Sequence, residues 1–259
     1  MALPASSNSA EPSADGTLEV LGTPLQCTSY GRYIEYCVWR SKQPGPFAID
    51  FSNTHIVTLR RHDPAFREIT SRFDAFIPDG MPLIWALNAR GASLKDRVYG
   101  PTFMRRCILE APTSTTHYFL GASSECLEKL TAFFRTANPS VQIIGSHHGY
   151  FKQLDEPAIV QAINELSPDF IWIGLGTPKQ QDFIHRNKAS FARGLLLAVG
   201  FAFDVNAGTK KDAPAWMQRI GLTWLYRLLE EPKRLGSRYL KFNSLFLWYL
   251  IRDALLERK

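Results

Sequence analysis

Residues 117–134 read HYFLGASSECLEKLTAFF, and this stretch decides the fold class. The segment His117–Leu120 predicts a short buried strand, and Gly121 predicts the tight turn after it. A helix is predicted next, because apolar side chains recur three and four residues apart, at Leu127, Leu130, Phe133 and Phe134. The dipeptide Asn138-Pro139 ends this helix, since proline cannot continue it.

The same alternation of strand and helix continues on both sides of this stretch. A helix is predicted over Pro157–Leu166, and Pro178 fits the first turn of another. Further strands are predicted at Phe47–Phe51, Val141–Ile144, Phe170–Ile173 and Leu195–Val199. Continuous apolar strands separated by helices are typical of a parallel sheet covered on both faces. The predicted fold class is therefore α/β, with a Rossmann-like, mainly parallel sheet and helices on both faces.

The composition is that of a globular protein. The 259 residues are 45% hydrophobic and 21% charged, so the chain can bury a core without disulfides or a structural metal. No apolar run reaches the ~18 residues of a membrane-spanning helix. The N-terminus has neither the basic nor the apolar region of a signal peptide. Four cysteines without a Cys-x-x-Cys pair predict reduced, mostly buried thiols in a cytosolic protein.

Three segments differ in composition and charge. Residues 1–16 are small, polar and proline-containing, which predicts a disordered tail. Residues 17–204 contain the predicted α/β core, and residues 1–204 together carry no net charge. Residues 205–259 hold eleven basic and five acidic residues, so this basic helical appendage carries the whole net charge of +6. A neutral body with a basic end predicts an anionic partner at that end.

The appendage also interleaves aromatic residues with its basic ones. On one continuous helix a narrow basic stripe would form from Arg227, Arg234, Arg238 and Lys241. Pro232 could instead divide the segment into two helices. Basic residues with Trp and Tyr suit the lipid headgroup layer, so an anionic membrane surface is the predicted partner. The alternative is a solvated or packed face, and for Leu245–Tyr249 core packing and lipid contact are equally expected.

Polar residues and glycines cluster directly after the predicted strands. The clusters are Ser52–Thr54, Pro78–Gly80, Gly121–Ser124, Gly174–Gln180 and Asp204–Gly208. Taken singly, each has a structural explanation, because Asn53 and Asp204 could cap helices and Asp79 could begin a turn. Ligands of parallel sheets bind beyond the carboxyl ends of the strands. Five such clusters together therefore predict a ligand cleft.

Several chemistries are excluded by missing motifs. The sequence has no Gly-x-Gly-x-x-Gly after a strand, no P-loop and no Gly-x-Ser-x-Gly elbow. The pair His147-His148 lacks the spacing of a zinc site. No Asp-x-Asp pair is present to clamp a metal on a diphosphate. A diphosphate would therefore be held by backbone N–H groups, helix N-termini and basic side chains, and we expect no metal or other cofactor.

From about Asn53 to Leu240 the sequence resembles the WecG/TagA/CpsF family, glycosyltransferase family 26. The matching stretches begin at Pro78 (PDGM), Asp96 (DRVYGP), Tyr118 (YFLGA), Ile144, Gly149 (GYF), Gly174 (GLGTPKQ), Phe203, Ala213 (APAW) and Leu222 (LTWLYRLLEEPKRL). The resemblance implies an inverting transferase that moves a sugar, of the N-acetylmannosamine, N-acetylmannosaminuronic acid or glucose type, from a UDP donor to a polyprenyl-diphosphate-linked saccharide. It also implies a role in bacterial cell-surface polysaccharide synthesis, at the inner face of the cytoplasmic membrane.

The resemblance also assigns roles to individual residues. Asp79, in the motif Pro-Asp-Gly, is the implied base that accepts the proton of the acceptor hydroxyl. The implied substrate-binding residues are Asn53, Arg97, Gly121, Gly174, Gly176, Gln180, Asp204, Arg227, Arg234 and Arg238. Arg97 would neutralise a diphosphate as UDP leaves, or else pair with Asp96 on the surface.

The sequence departs from the family pattern at five positions, none of which removes the implied base. They are Phe51 and Thr223, Gln181 where the family has Glu, Asp212 where it has Arg, and Ser237 where it has a second Arg. Two other function classes remain open from the residues alone. One is a sugar-nucleotide epimerase or hydrolase that needs no lipid acceptor. The other is a non-catalytic module that binds nucleic acid through the basic appendage, although we expect no nucleic-acid partner. A homo-oligomer is compatible with the sequence.

Overall fold

The computed structural model describes residues 16–256, and its centre is one eight-stranded sheet. The strands are β1 (Thr17–Val20), β2 (Thr23–Gln26), β3 (Gly45–Ser52), β4 (Ala75–Pro78), β5 (Thr116–Gly121), β6 (Gln142–His147), β7 (Phe170–Gly174) and β8 (Arg193–Ala198). Their order across the sheet is β1-β2-β4-β3-β8-β7-β5-β6. β1 and β2 form an antiparallel hairpin, and every other neighbouring pair is parallel. The mainly parallel sheet is confirmed.

Helices connect the strands and continue beyond the last one. They are α1 (Tyr30–Ser41), α2 (Thr54–His62), α3 (Pro64–Ile69), α4 (Met81–Asn88), α5 (Gly100–Glu110), α6 (Ser124–Ala137), α7 (Glu156–Leu166), α8 (Lys179–Asn187), α9 (Ala202–Asn206), α10 (Ala215–Arg219), α11 (Thr223–Glu230) and α12 (Pro232–Leu256). In α6 the Ser123 side chain accepts a hydrogen bond from the Cys126 N–H, which caps the helix. Its predicted apolar face, including Leu130 and Phe134, is buried.

Hydrophobic cores lie on both faces of the sheet, because side chains alternate along each buried strand. On β3, Ala48 joins one core, whereas Ile49 and Phe51 join the other. On β7, Ile173 packs in the same core as Ala48 and Trp172 packs in the other core, and both are fully buried. This double coverage explains why the predicted strands read as continuous apolar runs.

Some details differ from the predictions. Of the predicted tail, residues 1–15 lie outside the described residues, and Gly16 accepts a hydrogen bond from the Cys27 N–H at 3.0 Å. The hairpin β1–β2 is not predicted, because its four-residue strands are partly polar and carry no apolar run. Pro178 lies directly before α8 rather than in its first turn. Three of the four cysteines are buried, as expected, and the cysteines form no disulfide within residues 16–256.

The basic appendage is not one continuous helix. It divides at Pro232, so the predicted stripe is split, with Arg227 on α11 and Arg234 on α12. Within Leu245–Tyr249 the expected core packing is confirmed for Phe246 and Tyr249, which are buried, while for the exposed Leu247 and Trp248 lipid contact stays a prediction. The buried face of α12 packs along α2. No helix within residues 16–256 is long and apolar enough to cross a membrane.

Candidate active site

The predicted strand-end clusters meet along one edge of the sheet, where the carboxyl ends of the parallel strands lie. The chain leaves β5 toward β6 on one side and leaves β7 toward β8 on the other. β5 and β7 are neighbours, so their carboxyl ends flank a topological switch point. Such a crevice is the usual ligand position in an open parallel sheet.

Glycine residues, which have no side chain, line this crevice. Gly121 and Gly174 are partners in register, and Gly121 has a φ of +140°. A Cβ on Gly121 would lie 2.8 Å from the Gly174 Cα, and a Cβ on Gly174 would lie 2.8 Å from the Phe203 ring. Gly176 differs, because its φ is +76° and nothing lies within 4 Å of its Cβ position. The first two glycines are therefore needed for packing, while Gly176 leaves open space beside the N-terminus of α8.

Asp79 lies at the carboxyl end of β4, directly before α4, at the predicted strand end. A Cβ on Gly100 would lie 3.6 Å from Asp79 Oδ2 and 3.7 Å from the Val199 carbonyl oxygen, so α5 begins between these groups. Asp79 Oδ1 is buried and has no hydrogen-bond partner among the described residues. Burial raises the pKa of Asp79 to about 7, although Arg97, the Gly100 N–H and Arg227 each favour the ionised form. A carboxyl group with this pKa can accept and release a proton near neutral pH.

Arg97 is buried beside Asp79 and does not form the surface ion pair considered above. Its Nη1 donates to the Asp79 carbonyl oxygen at 3.3 Å. Its Nη2 donates to Gln218 Oε1 at 3.1 Å and to Thr223 Oγ1 at 3.2 Å. The guanidinium carbon stacks 4.1 Å from the centre of the Tyr99 ring. Arg97 therefore joins the end of β4 to α10 and α11 of the appendage.

A closed polar network completes this junction. Tyr99 Oη donates to Asp212 Oδ1 at 2.8 Å, and Gln218 Nε2 donates to Asp212 Oδ2 at 3.2 Å. Burial together with Asp212 raises the pKa of Tyr99 well above its usual range, so Tyr99 stays a proton donor. The carboxylate of Asp212, where the family usually has Arg, thus holds two residues that contact Arg97. Tyr99, Gln218 and Thr223 were not predicted as site residues, although Tyr99 lies within a motif that carries the family resemblance.

Gln180 lies at the carboxyl end of β8, on the first turn of α8. A Cβ on Gly200 would lie 3.4 Å from Gln180 Oε1, and this oxygen is buried with no hydrogen-bond partner among residues 16–256. Gly200 follows Val199, which lies beside Asp79. The unpartnered oxygens of Asp79 and Gln180 therefore belong to side chains that lie beside Val199 and Gly200, two consecutive residues after β8.

The three appendage arginines occupy different surroundings. The Arg227 guanidinium carbon lies 3.8 Å from the centre of the Phe201 ring, at the end of β8. Arg238 is half-buried, and its Nε has no partner among the described residues. Burial lowers the pKa of His55 to about 4, and the nearby charge of Arg238 lowers it further. Arg234 forms an ion pair with Glu231, which also pairs with Lys210 at 2.6 Å. The structure thus brings Arg227 to Asp79 and Arg238 to α2, whereas Arg234 is engaged on the surface.

Two predicted binding residues have local structural roles. Asn53 is exposed, and its Oδ1 accepts hydrogen bonds from the N–H groups of His55 and Ile56, so it caps α2. Asp204 lies within α9, and its Oδ1 accepts a hydrogen bond from Thr209 Oγ1 at 3.1 Å. The helix-cap explanation is therefore correct for Asn53, while Asp204 orders the loop after α9.

A buried polar pair beneath the edge was also not predicted. Asp50 on β3 accepts hydrogen bonds from Ser52 Oγ and, at 2.7 Å, from Gln181 Nε2. Burial raises the pKa of Asp50, although both hydrogen bonds oppose this. Gln181, where the family usually has Glu, therefore supplies a donor that a carboxylate at this position could not. The signal in the sequence was Gln181 itself, because an uncharged amide stands where the family usually has a glutamate.

The described residues contain no group of three His, Cys, Asp or Glu side chains placed to hold a metal ion.

A family model described as the glycosyl transferase WecG/TagA/CpsF family matches residues 18–259. The chain belongs to this family. The match covers the sheet and the appendage alike, and it extends the predicted region of resemblance at both ends.

Curated relatives of the WecG/TagA/CpsF family align over almost the whole chain. Proteins of Staphylococcus aureus strains MW2 and MRSA252 are each 26% identical over 245 residues, which is 93% of this chain and 95% of the relative. Both are named N-acetylglucosaminyldiphosphoundecaprenol N-acetyl-beta-D-mannosaminyltransferase. Family membership confirms the glycosyltransferase reading of the sequence and disfavours a non-catalytic binding module.

Proposed function

We propose that the protein transfers a sugar, N-acetylmannosamine in the first instance, from a UDP donor to a polyprenyl-diphosphate-linked saccharide. The observation that carries the proposal is the unpartnered, buried carboxylate oxygen of Asp79 beside two arginines at the carboxyl edge of the sheet. The acceptor class and the sugar follow from the names of the S. aureus relatives, and the UDP donor follows from the family resemblance.

The reaction is a single displacement. The acceptor hydroxyl oxygen bonds to the anomeric carbon while Asp79 takes the hydroxyl proton. The bond from that carbon to the diphosphate oxygen breaks, and UDP leaves with its electron pair, so the configuration inverts. The N–H donors of Arg227 face the growing negative charge, while Arg97, held in place by three hydrogen bonds to protein oxygens, adds its charge and fixes Asp79.

The donor diphosphate lies in the crevice between β5 and β7. Backbone N–H groups near Gly176 and the N-terminus of α8 supply the positive potential there, with Gln180 contacting the donor sugar. No metal is required in this arrangement, because cationic side chains and helix N–H groups meet the phosphates. The protein acts as a peripheral enzyme on the cytoplasmic face of the membrane, where the basic appendage contacts anionic lipid.

A screen of UDP-sugars against synthetic prenyl-diphosphate saccharides, read by mass spectrometry, tests the proposal. We expect a product one sugar heavier than the acceptor, with released UDP in equal amount. Release of UDP or an isomerised donor without any acceptor would instead identify a hydrolase or epimerase. RNA binding without turnover of any UDP-sugar would refute the enzymatic function of the site.

A further inference from the structure

Phe201 occupies a position on the sheet edge that the proposed function leaves unused. It follows Gly200, whose φ is +49°, at the point where β8 ends and α9 begins. Phe203, two residues later, is fully buried in the core, whereas the Phe201 ring is only half-buried. The Phe201 ring is therefore not enclosed by the core and can contact a side chain of the appendage.

The ring is the platform for an arginine of the appendage. The Arg227 guanidinium carbon lies 3.8 Å from the ring centre, well within the ~6 Å range of a cation–π contact. No carboxylate within residues 16–256 forms an ion pair with Arg227, and no hydrogen bond occupies its side chain there. Stacking fixes the plane of a guanidinium and leaves its N–H donors, which lie in that plane, free to bind oxygen atoms.

The charge of Arg227 reaches the proposed base. It favours the ionised form of Asp79, together with Arg97 and against Asp212. Lys210 is the other cation near the platform, with its Nζ 5.8 Å from the Phe201 ring centre, but Glu231 holds it at 2.6 Å. Arg238 is the neighbouring cation on α12. Among these groups, Arg227 combines an aromatic platform with unoccupied donors.

We propose that Phe201 is a positioning residue, which holds the Arg227 guanidinium over the sheet edge with its donors directed at the leaving diphosphate. This inference rests on the proposed function. Without the ring, the long Arg227 side chain on α11 would lose the stacking contact that limits its rotamers. Phe201 therefore acts through Arg227 and does not itself touch the reacting atoms.

A double-mutant cycle of Phe201→Leu and Arg227→Met tests the pairing. We expect Phe201→Leu to lower kcat/KM by about 3- to 30-fold, the range of one cation–π contact. The effect should vanish when Arg227 is already Met, and Phe201→Tyr should restore most of the activity. Phe133→Leu is the matched control, because it removes the ring that faces Arg105 at 5.3 Å, away from this edge.

A second measurement separates positioning from folding. Loss of the Arg227 charge from the site disfavours ionised Asp79, so the acidic limb of the pH profile of kcat/KM should move to higher pH in Phe201→Leu. Phe133→Leu should leave that limb in place. Additive effects in the cycle, or an unmoved acidic limb in Phe201→Leu, would overturn the inference.

The proposed function and this inference fail in different ways. If wild-type protein transfers no sugar from any UDP donor, the proposed function fails, and the positioning role fails with it. If transfer occurs and Asp79→Asn abolishes it, but Phe201→Leu behaves like Phe133→Leu, only the inference about Phe201 fails. Non-additive thermal unfolding in the same variants reports the ring–guanidinium contact independently of any substrate.

Discussion

Replacing Asp79 by Asn should stabilise the protein while removing its activity. Burial raises the pKa of Asp79 to about 7 in the folded protein, whereas the ordinary value of an exposed aspartate is 3.8. A protein whose acidic group has a raised folded-state pKa becomes less stable as the pH rises from the unfolded-state pKa to the folded-state pKa. A difference of about three units corresponds to at most about 4 kcal/mol at pH 8, because each unit is worth about 1.4 kcal/mol.

The pH dependence isolates this term from other effects of the substitution. At pH 5 most of the folded protein still carries protonated Asp79, and the penalty is only about 1.5–2 kcal/mol. The stability gain of Asp79→Asn should therefore grow by about 2–3 kcal/mol between pH 5 and pH 8. Any cost of fitting the amide beside the Gly100 N–H is the same at both pH values and cancels. Urea unfolding of both proteins at four pH values measures the difference.

Turnover should respond in the opposite sense. Loss of a general base lowers the rate by about 10²–10⁴-fold, and UDP binding should persist because the crevice is unchanged. In the wild type, kcat/KM should rise as the pH passes through about 7, where Asp79 ionises. Glu165→Gln, an exposed residue near the end of α7, is the matched control, because it removes one carboxylate charge away from the candidate site. A stability gain that is equal at pH 5 and pH 8, or near-normal turnover by Asp79→Asn, would refute the reasoning.

Three further predictions concern the donor crevice, metal and the membrane. Gly121→Ala should destabilise the protein by more than ~1 kcal/mol in thermal unfolding and abolish donor binding in calorimetry, because its Cβ overlaps Gly174; an unchanged midpoint would contradict this. Activity should survive EDTA, and a loss restored by Mn²⁺ or Mg²⁺ would show that metal holds the diphosphate. A variant with Arg227, Arg234 and Arg238 all changed to Ala should bind anionic vesicles more weakly at low salt, by at most roughly 100-fold, since each charge that faces the lipid contributes about 1 kcal/mol. Sedimentation equal to wild type at low and high salt would contradict membrane binding through these residues.

The parallel sheet could be predicted because its strands are buried on both faces. β3, β5, β7 and β8 each contain an apolar run typical of a buried strand, and Gly121 and Gly174 end β5 and β7. The order of the strands was beyond reach, because pairing between β3 and β8 depends on contacts almost 150 residues apart. The antiparallel hairpin at the sheet margin was missed for a different reason, since short, half-polar strands resemble loops.

The position of Asp79 was predictable, whereas its surroundings were not. A polar residue after a strand must lie at the carboxyl edge, but only the folded appendage brings Gln218 and Thr223 to Arg97. The periodicity of the basic residues could not decide between one helix and two helices divided at Pro232, and the structure shows the second arrangement. The role of Asn53 could not be predicted from the sequence either, because an asparagine after a strand suits both a helix cap and a ligand pocket.

The pairing of β3 with β8 has a consequence for how the chain acquires its structure. These strands are central neighbours, yet one lies near the start of the chain and the other near residue 198. During synthesis the hairpin, β3 and β4 leave the ribosome long before the strand that joins them to β5–β7 exists. We therefore expect the two halves of the sheet to collapse separately and to dock late, which is slow because distant segments must meet. Folding rate should depend more on substitutions along β8 than on equally buried positions in β6.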